Sequence, residues 1–381
     1  MKERQKFIEE MLRHDMHFNA LCEKYNISEK TGHKWKNRFM AEGFSGLCDQ
    51  SKAPKKTVGL TEDVVIRVIA LKTAHPTWGA KKLDVLYRKA YKDGSAPSVS
   101  SIQRVVGKAG LVRKRRIKKV TPCCGNRLRQ YIQAEEANDV WTVDFKGWWY
   151  SSREKCVPLT IRDLKSKYLL EIKLMQSCSS EAVKEVFEQV FRKYGLPKVI
   201  RSDNGTPFAS PNGRLNLTNL SVWWISLGVL PDRTDKGCPG QNGSHERMHA
   251  DLAMEIQGKI PGGIIANQAA IDTWREEYNN VRPNEAIGMA TPSEIYTPSK
   301  RTYEGDFDTF EYPLGFIARK VFRNGAIVIN GQRLALGYSL RGFTVGLCPK
   351  ENNCLTVFIA EFPLGEIDLN TYCFYPFESL E

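Results

Sequence analysis

Near Asn138 the apolar repeat of the chain changes from a helical period to a strand period, and that change limits what each side can fold into. Before it, residues 4–42 read as three short helices. Phe18, Leu21 and Tyr25 fall at helical spacing, Asn26-Ile27-Ser28 breaks the pattern, and Thr31, Trp35 and Phe39 share one face of the next helix. Ser28 stands where it caps that helix, which leaves Lys30, His33, Lys34 and Asn37 facing outward as a recognition helix faces the major groove; Trp35 reads as core. After a Pro/Lys linker at 51–56 the theme repeats, with helices expected over 62–72, through Tyr91, and over 98–108. Two helix-turn-helix outlines in tandem result.

Charge follows the same division. The chain carries a net +13, yet residues 1–120 hold 27 Lys+Arg against 12 Asp+Glu, so the remainder is slightly acidic. The run Arg113, Lys114, Arg115, Arg116, Lys118 and Lys119 has the density of a segment that neutralises phosphates and releases counterions, or else of a solvated like-charge linker. Ten cysteines without a Cys-x-x-Cys pair suit reduced structural thiols better than a disulfide scaffold. His14, His17 and Cys22 lack a second Cys at zinc-ligand spacing. No apolar run approaches the roughly 18 residues of a membrane helix, and no apolar signal core follows the first charges, so an intracellular soluble protein without membrane contact is expected.

Beyond Asn138, strands are expected over 140–145, 156–162, 168–175 and 197–201, with another near Val229, and helices over 180–194, 220–227 and 245–256. Three meandering strands followed by alternating helix and strand imply an α/β unit with a mixed five-stranded sheet. The turns Asn324-Gly325 and Asn330-Gly331 predict hairpins and a small C-terminal β-barrel.

Three acids stand out within this frame. Asp144 interrupts an apolar strand, Asp203 ends a strand, and Glu246 opens a helix 43 residues later, after a glycine-rich loop. Singly they read as a strand-edge Asp, a turn Asp and a first-turn Glu that suits the helix dipole. Together they can converge on one point, where three oxygen ligands with open positions suit Mg²⁺ or Mn²⁺ rather than zinc. Asp163, in a hairpin turn, reads as structural.

The stretches Val140-Trp141-Thr142-Val143-Asp144-Phe145-Lys146-Gly147-Trp148, Leu159-Thr160-Ile161-Arg162-Asp163, Arg201-Ser202-Asp203-Asn204-Gly205 and Gln241-Asn242-Gly243-Ser244-His245-Glu246-Arg247-Met248-His249, with Trp274 to Pro283 and Thr291-Pro292, carry a family likeness. The chain resembles a bacterial insertion-sequence transposase of the DDE type, whose RNase H-like core is shared with retroviral integrases. By that resemblance Asp144, Asp203 and Glu246 are the metal-binding triad, holding two Mg²⁺ or Mn²⁺ ions per site. The implied reaction frees a 3′-hydroxyl at an element end by hydrolysis and joins it to target DNA by transesterification. Element-end inverted repeats and target DNA are then the partners, at least a homodimer assembles on DNA, and the bacterial cytoplasm at the nucleoid is the expected place. The alternative is a catalytically inactive DNA-binding regulator derived from a transposase. Gly240, Ala250, Asp251 and Asn284 depart from the family pattern without touching an acid.

The domains expected are helix-turn-helix modules at 1–50 and 60–112, a basic linker at 113–137, an RNase H-like core at 138–300 and a β-barrel at 312–377. Three further residues have alternative readings. Asn204 either orients Asp203 or makes the turn, His245 either donates to a phosphate or is structural, and Arg247, with Lys236, either contacts phosphate or is merely solvated.

Overall fold

The computed structural model of the chain describes residues 2–49, 60–112, 132–210, 216–234, 243–305 and 310–377. The basic run Arg113 to Lys119, Lys236 and the loop before Glu246 lie outside the described residues. Two units form, Met1–Thr61 and Glu62–Glu381.

In the first unit, α1 (Lys2–Arg13), α2 (Phe18–Lys24) and α3 (Glu29–Glu42) enclose Phe7, Ile8, Leu21, Cys22 and Leu47. The Ser28 hydroxyl caps α3 by accepting the Thr31 N–H, as its position predicts. Cys22 is a packing residue: a Cβ on Gly32 would come within 2.6 Å of its sulfur, so only glycine lets α3 lie this close to α2.

The second unit begins with α4 (Glu62–Ala74), α5 (Ala80–Ala90) and α6 (Val99–Lys108), around Val68, Trp78, Leu83, Tyr87 and Ile102. These helices are fastened to the α/β core. His75 Nδ1 lies 2.9 Å from Glu277, Lys89 pairs with Glu294 at 2.9 Å, and Thr77 donates to Glu255. The Arg282 guanidinium lies 5.5 Å from the Trp78 ring while pairing with Asp251 at 2.9 Å. Asp251, one of the departures noted above, is thus the partner of a buried arginine.

The core sheet is mixed, as expected. β1 (Val140–Phe145) lies between antiparallel β3 (Glu154–Asp163) and parallel β5 (Val199–Ser202); β4 (Leu169–Met175) pairs with β3, and β6 (Leu230–Arg233) runs parallel to β5. A short β2 (Trp149–Ser151), a sixth strand beyond the five expected, pairs with the start of β3. One face is covered by α7 (Ser180–Tyr194) and α8 (Asn219–Ser226), through Trp141, Phe187, Phe191 and Trp224. The other carries α9 (Gly243–Glu255) and α10 (Gly263–Asn280), through Met248, Leu252, Ile271 and Trp274. Full burial of an aromatic or aliphatic side chain is worth about 1.5–3 kcal/mol, so these two faces hold the sheet rigid between helices. Trp149, Trp223 and Trp224 pack in these layers, whereas Trp148 is 54% exposed.

The C-terminal region departs from expectation. After the short α11 (Pro292–Ile295), β7 (Ile317–Lys320) pairs with β10 (Thr344–Lys350), and β11 (Cys354–Ile359), β12 (Phe362–Asp368) and β13 (Cys373–Pro376) extend that sheet. β8 (Ala326–Ile329) and β9 (Gln332–Ala335) form a separate hairpin. No barrel closes among the described residues. Asn330-Gly331 turns the β8–β9 hairpin with both φ positive, as its sequence predicts. Asn324-Gly325 also turns the chain, yet its flanking strands do not pair with each other. The hairpin instead joins the sheet through side chains, with Ile327 and Leu334 sharing the core of Val345, Leu347 and Val357, and its backbone bonds stay largely internal.

Candidate active site

Asp144, Asp203 and Glu246 are carried by β1, the end of β5 and the first turn of α9. β1 and β5 are adjacent and parallel, so their acids leave the sheet at the same edge, where α/β sheets present functional groups. Arg201, buried in β5, pairs with Asp232 of β6 at 2.7 Å and fixes the strand that delivers Asp203. Asp203 itself is exposed, with Oδ1 accepting the Gly205 N–H at 3.1 Å. Glu246 is exposed as well.

Asp144 shows that the acids share one electrostatic site. Burial pushes its carboxyl up to about 7, the charges of Asp203 and Glu246 push the same way, and the Phe145 N–H opposes them only in part. The donor set, three carboxylates and no sulfur, is that of a hard divalent cation. Among the described residues, no three His, Cys, Asp or Glu side chains are gathered tightly enough to hold an ion as they stand. Mutual repulsion of these acids is what an ion would relieve.

The remaining predicted residues divide. Lys30, His33, Lys34 and Asn37 are all exposed on α3. Asn204 donates to Thr234 O at 2.6 Å, tying the strand ends together rather than orienting Asp203. Arg247 is exposed and reaches Asp251 at 3.6 Å. His245 is fully buried, so its ring is not open to a phosphate; its Nε2 is bound to Thr160 Oγ1 at 2.7 Å. Asp163 is fastened to its turn by the Asn138 N–H, the Ser166 N–H and the Ser166 hydroxyl.

Sequence reasoning missed three groups, two of them beside Asp144. Thr160 lies opposite Asp144 in the β1–β3 register and touches both His245 and His249. His249 Nδ1 is 3.8 Å from Asp144 Oδ2, and burial, with Lys146 and Arg162 adding, pushes its pKa down to about 3. Lys82, on α5, is pushed down to about 8 by burial and then by Arg282, and it feels Arg247 on α9. The signal for the histidines was present: four residues apart, they must share one helix face.

Comparison with known proteins agrees with this picture. Two models described as integrase core domain match residues 134–239 and 227–292, a helix-turn-helix domain matches 3–55, and a homeodomain-like domain matches 31–106. An insertion element IS407 uncharacterized 31.7 kDa protein of Burkholderia multivorans is 26% identical over 74% of this chain and 96% of its own length. An insertion element IS476 uncharacterized 39.2 kDa protein of Xanthomonas euvesicatoria is 26% identical over 62% of this chain and 65% of its own. The transposase for insertion sequence element IS629 of Shigella sonnei is 21% identical over 58% of this chain and 74% of its own. No described helix is long and apolar enough to cross a membrane.

Proposed function

Taking this chain as an insertion-sequence transposase of the DDE type, as its integrase core, helix-turn-helix domains and relatives show, we propose that it cuts DNA at element ends and joins the freed strand to target DNA. In this reading Asp144, Asp203 and Glu246 would hold the divalent cation, Mg²⁺ or Mn²⁺. One observation carries it: Asp144 is a half-buried acid whose carboxyl is raised by burial and by the two acids that share its site. Divalent metal bound there would supply the chemistry of an in-line phosphoryl displacement, activating a water or a 3′-hydroxyl and steadying the leaving oxygen.

The side chains of the protein supply position and charge. Asp144 presents its carboxylate from a strand paired on both sides, so the position of that one acid is fixed before DNA arrives. No serine or tyrosine ester is required, because the freed 3′-hydroxyl is itself the second nucleophile. Lys30, His33, Lys34 and Asn37 read the terminal inverted repeats in the major groove, and the run Arg113 to Lys119 and Arg247 contact phosphates. At least two copies assemble on DNA, one for each element end, at the bacterial nucleoid.

The test is an element-end duplex incubated with the full chain and Mg²⁺, scored for a new 3′-hydroxyl and for strand joining. Wild type is expected to cut and Asp144→Asn to lose about a thousandfold or more of that rate. Equal behaviour of the two, with DNA still bound, would instead identify an inactive regulator.

A further inference from the structure

We propose that Thr160 is a positioning residue that sets Glu246 against Asp144 through a single hydroxyl, an inference that rests on the metal-site reading above. Thr160 is fully buried on β3, and its Oγ1 makes three close contacts: Asp144 O at 2.9 Å, His245 Nε2 at 2.7 Å and His249 Nε2 at 2.9 Å. A backbone carbonyl only accepts, so the hydroxyl proton goes to Asp144 O. Both imidazoles must then donate to the two lone pairs of Oγ1, which fixes each ring as its Nε2–H form. The oxygen is thereby saturated, with one donated and two accepted hydrogen bonds.

The consequence is mechanical. His245 immediately precedes Glu246 and His249 follows it by one turn, so both ends of the helical turn that presents Glu246 are tied to one atom. That same atom is tied to the backbone of Asp144. Rotation or sliding of α9 against β1, by which the two acids would drift apart, must break one of these three bonds. His245 has no room to seek another partner: its ring is fully buried, and its Nδ1 makes no hydrogen bond. A site of separated, mutually repelling carboxylates needs such a fastening, because their repulsion would otherwise move the helix.

The test uses the full chain, without DNA, and Mn²⁺ alone as the probe. The readout is the metal concentration that half-saturates the rise in Tm; strand cutting is followed in parallel. Thr160→Val keeps the shape and removes the hydroxyl, and is expected to raise the half-saturating concentration about tenfold or more, the range seen when a supporting partner of a metal ligand is lost. Thr160→Ser restores the hydroxyl and should return it to within about threefold of wild type. If Thr160→Val fails to fold, His249→Leu and His249→Gln form a second pair: the first removes the donor and should shift the curve, the second retains an N–H donor and should not. An unchanged Mn²⁺ curve in Thr160→Val, while Asp144→Asn abolishes the response, would overturn this inference alone. A wild-type chain that takes up no Mn²⁺ would remove both it and the metal-site reading.

Discussion

The β1–β3 ladder carries one acid near each end, and the protein treats them in opposite ways. Asp163, opposite Trp141, is fully buried and receives donors from Asn138 and from both the backbone and the hydroxyl of Ser166. Asp144, opposite Thr160, keeps about a fifth of its side chain exposed and faces Asp203 and Glu246. Burial raises the carboxyl pKa at both ends, but donors oppose the rise at Asp163 whereas other acids add to it at Asp144. An acid surrounded by donors fastens a turn; an acid raised by neighbouring acids suits the proposed cation site.

The largest expected effect tests the second half of that statement. Asp144→Asn should leave the fold intact and reduce strand cutting about a thousandfold or more, measured on an element-end duplex with Mg²⁺. Asp163→Ala should do the reverse. It strands three buried donors and should cost about 3–4 kcal/mol in urea unfolding, while the protein that remains folded cuts at the wild-type rate. Loss of cutting in folded Asp163→Ala would erase the distinction between the two ends.

The sequence made one end of this ladder legible and the other only partly so. A carboxylate inside Val-Trp-Thr-Val-Asp-Phe is costly enough to demand a reason, and Asp163 before Leu-Lys-Ser-Lys announces a turn. The helices on the sheet announced themselves by period, except α10, whose small and polar residues Ala266, Asn267, Gln268 and Ala269 blur the apolar stripe. Thr160 was hidden because a threonine inside an apolar strand is ordinary β-sheet composition; only pairing register places it beside Asp144. The docking of the second helical module was hidden for a similar reason. Arg282 and Trp78 lie far apart in sequence and are individually unremarkable there, and their contact is a property of the folded chain. The barrel failed because strong turn dipeptides predict hairpins, not which strand edges then pair.

The pH dependence of stability sharpens the comparison further. A carboxyl with a folded pKa of about 7 and an unfolded one near 4 binds more protons folded than unfolded between those values, so the metal-free chain loses stability as pH rises through that window. The loss is complete above about pH 7. Asp144→Asn removes its share, so with chelator at pH 8 the variant should be more stable than wild type by up to about 4 kcal/mol, and its stability should vary less between pH 4 and 7. Asp163 contributes in the same direction but is present in both proteins and drops out of the difference. Equal pH slopes for wild type and Asp144→Asn would show that the acids do not strain the fold.

The smallest effect separates the two ends most finely, because each has a buried hydroxyl beside its acid. The Ser166 hydroxyl donates to Asp163 Oδ2 at 2.5 Å and accepts the Tyr168 N–H at 3.2 Å. Ser166→Ala leaves Asp163 with two backbone donors and deprives Tyr168 N–H of that acceptor, which should cost about 1–2 kcal/mol in denaturant unfolding. The change is local to a turn whose strands are held by their own ladders, so the half-saturating Mn²⁺ concentration and the cutting rate of the folded protein should stay at wild-type values. Thr160→Val deletes the same chemical group a few residues away and should move that Mn²⁺ concentration instead. If Ser166→Ala also moved it, tension at one end of the ladder would be reaching the other, and the separation between a fastening acid and a metal-binding acid would not hold.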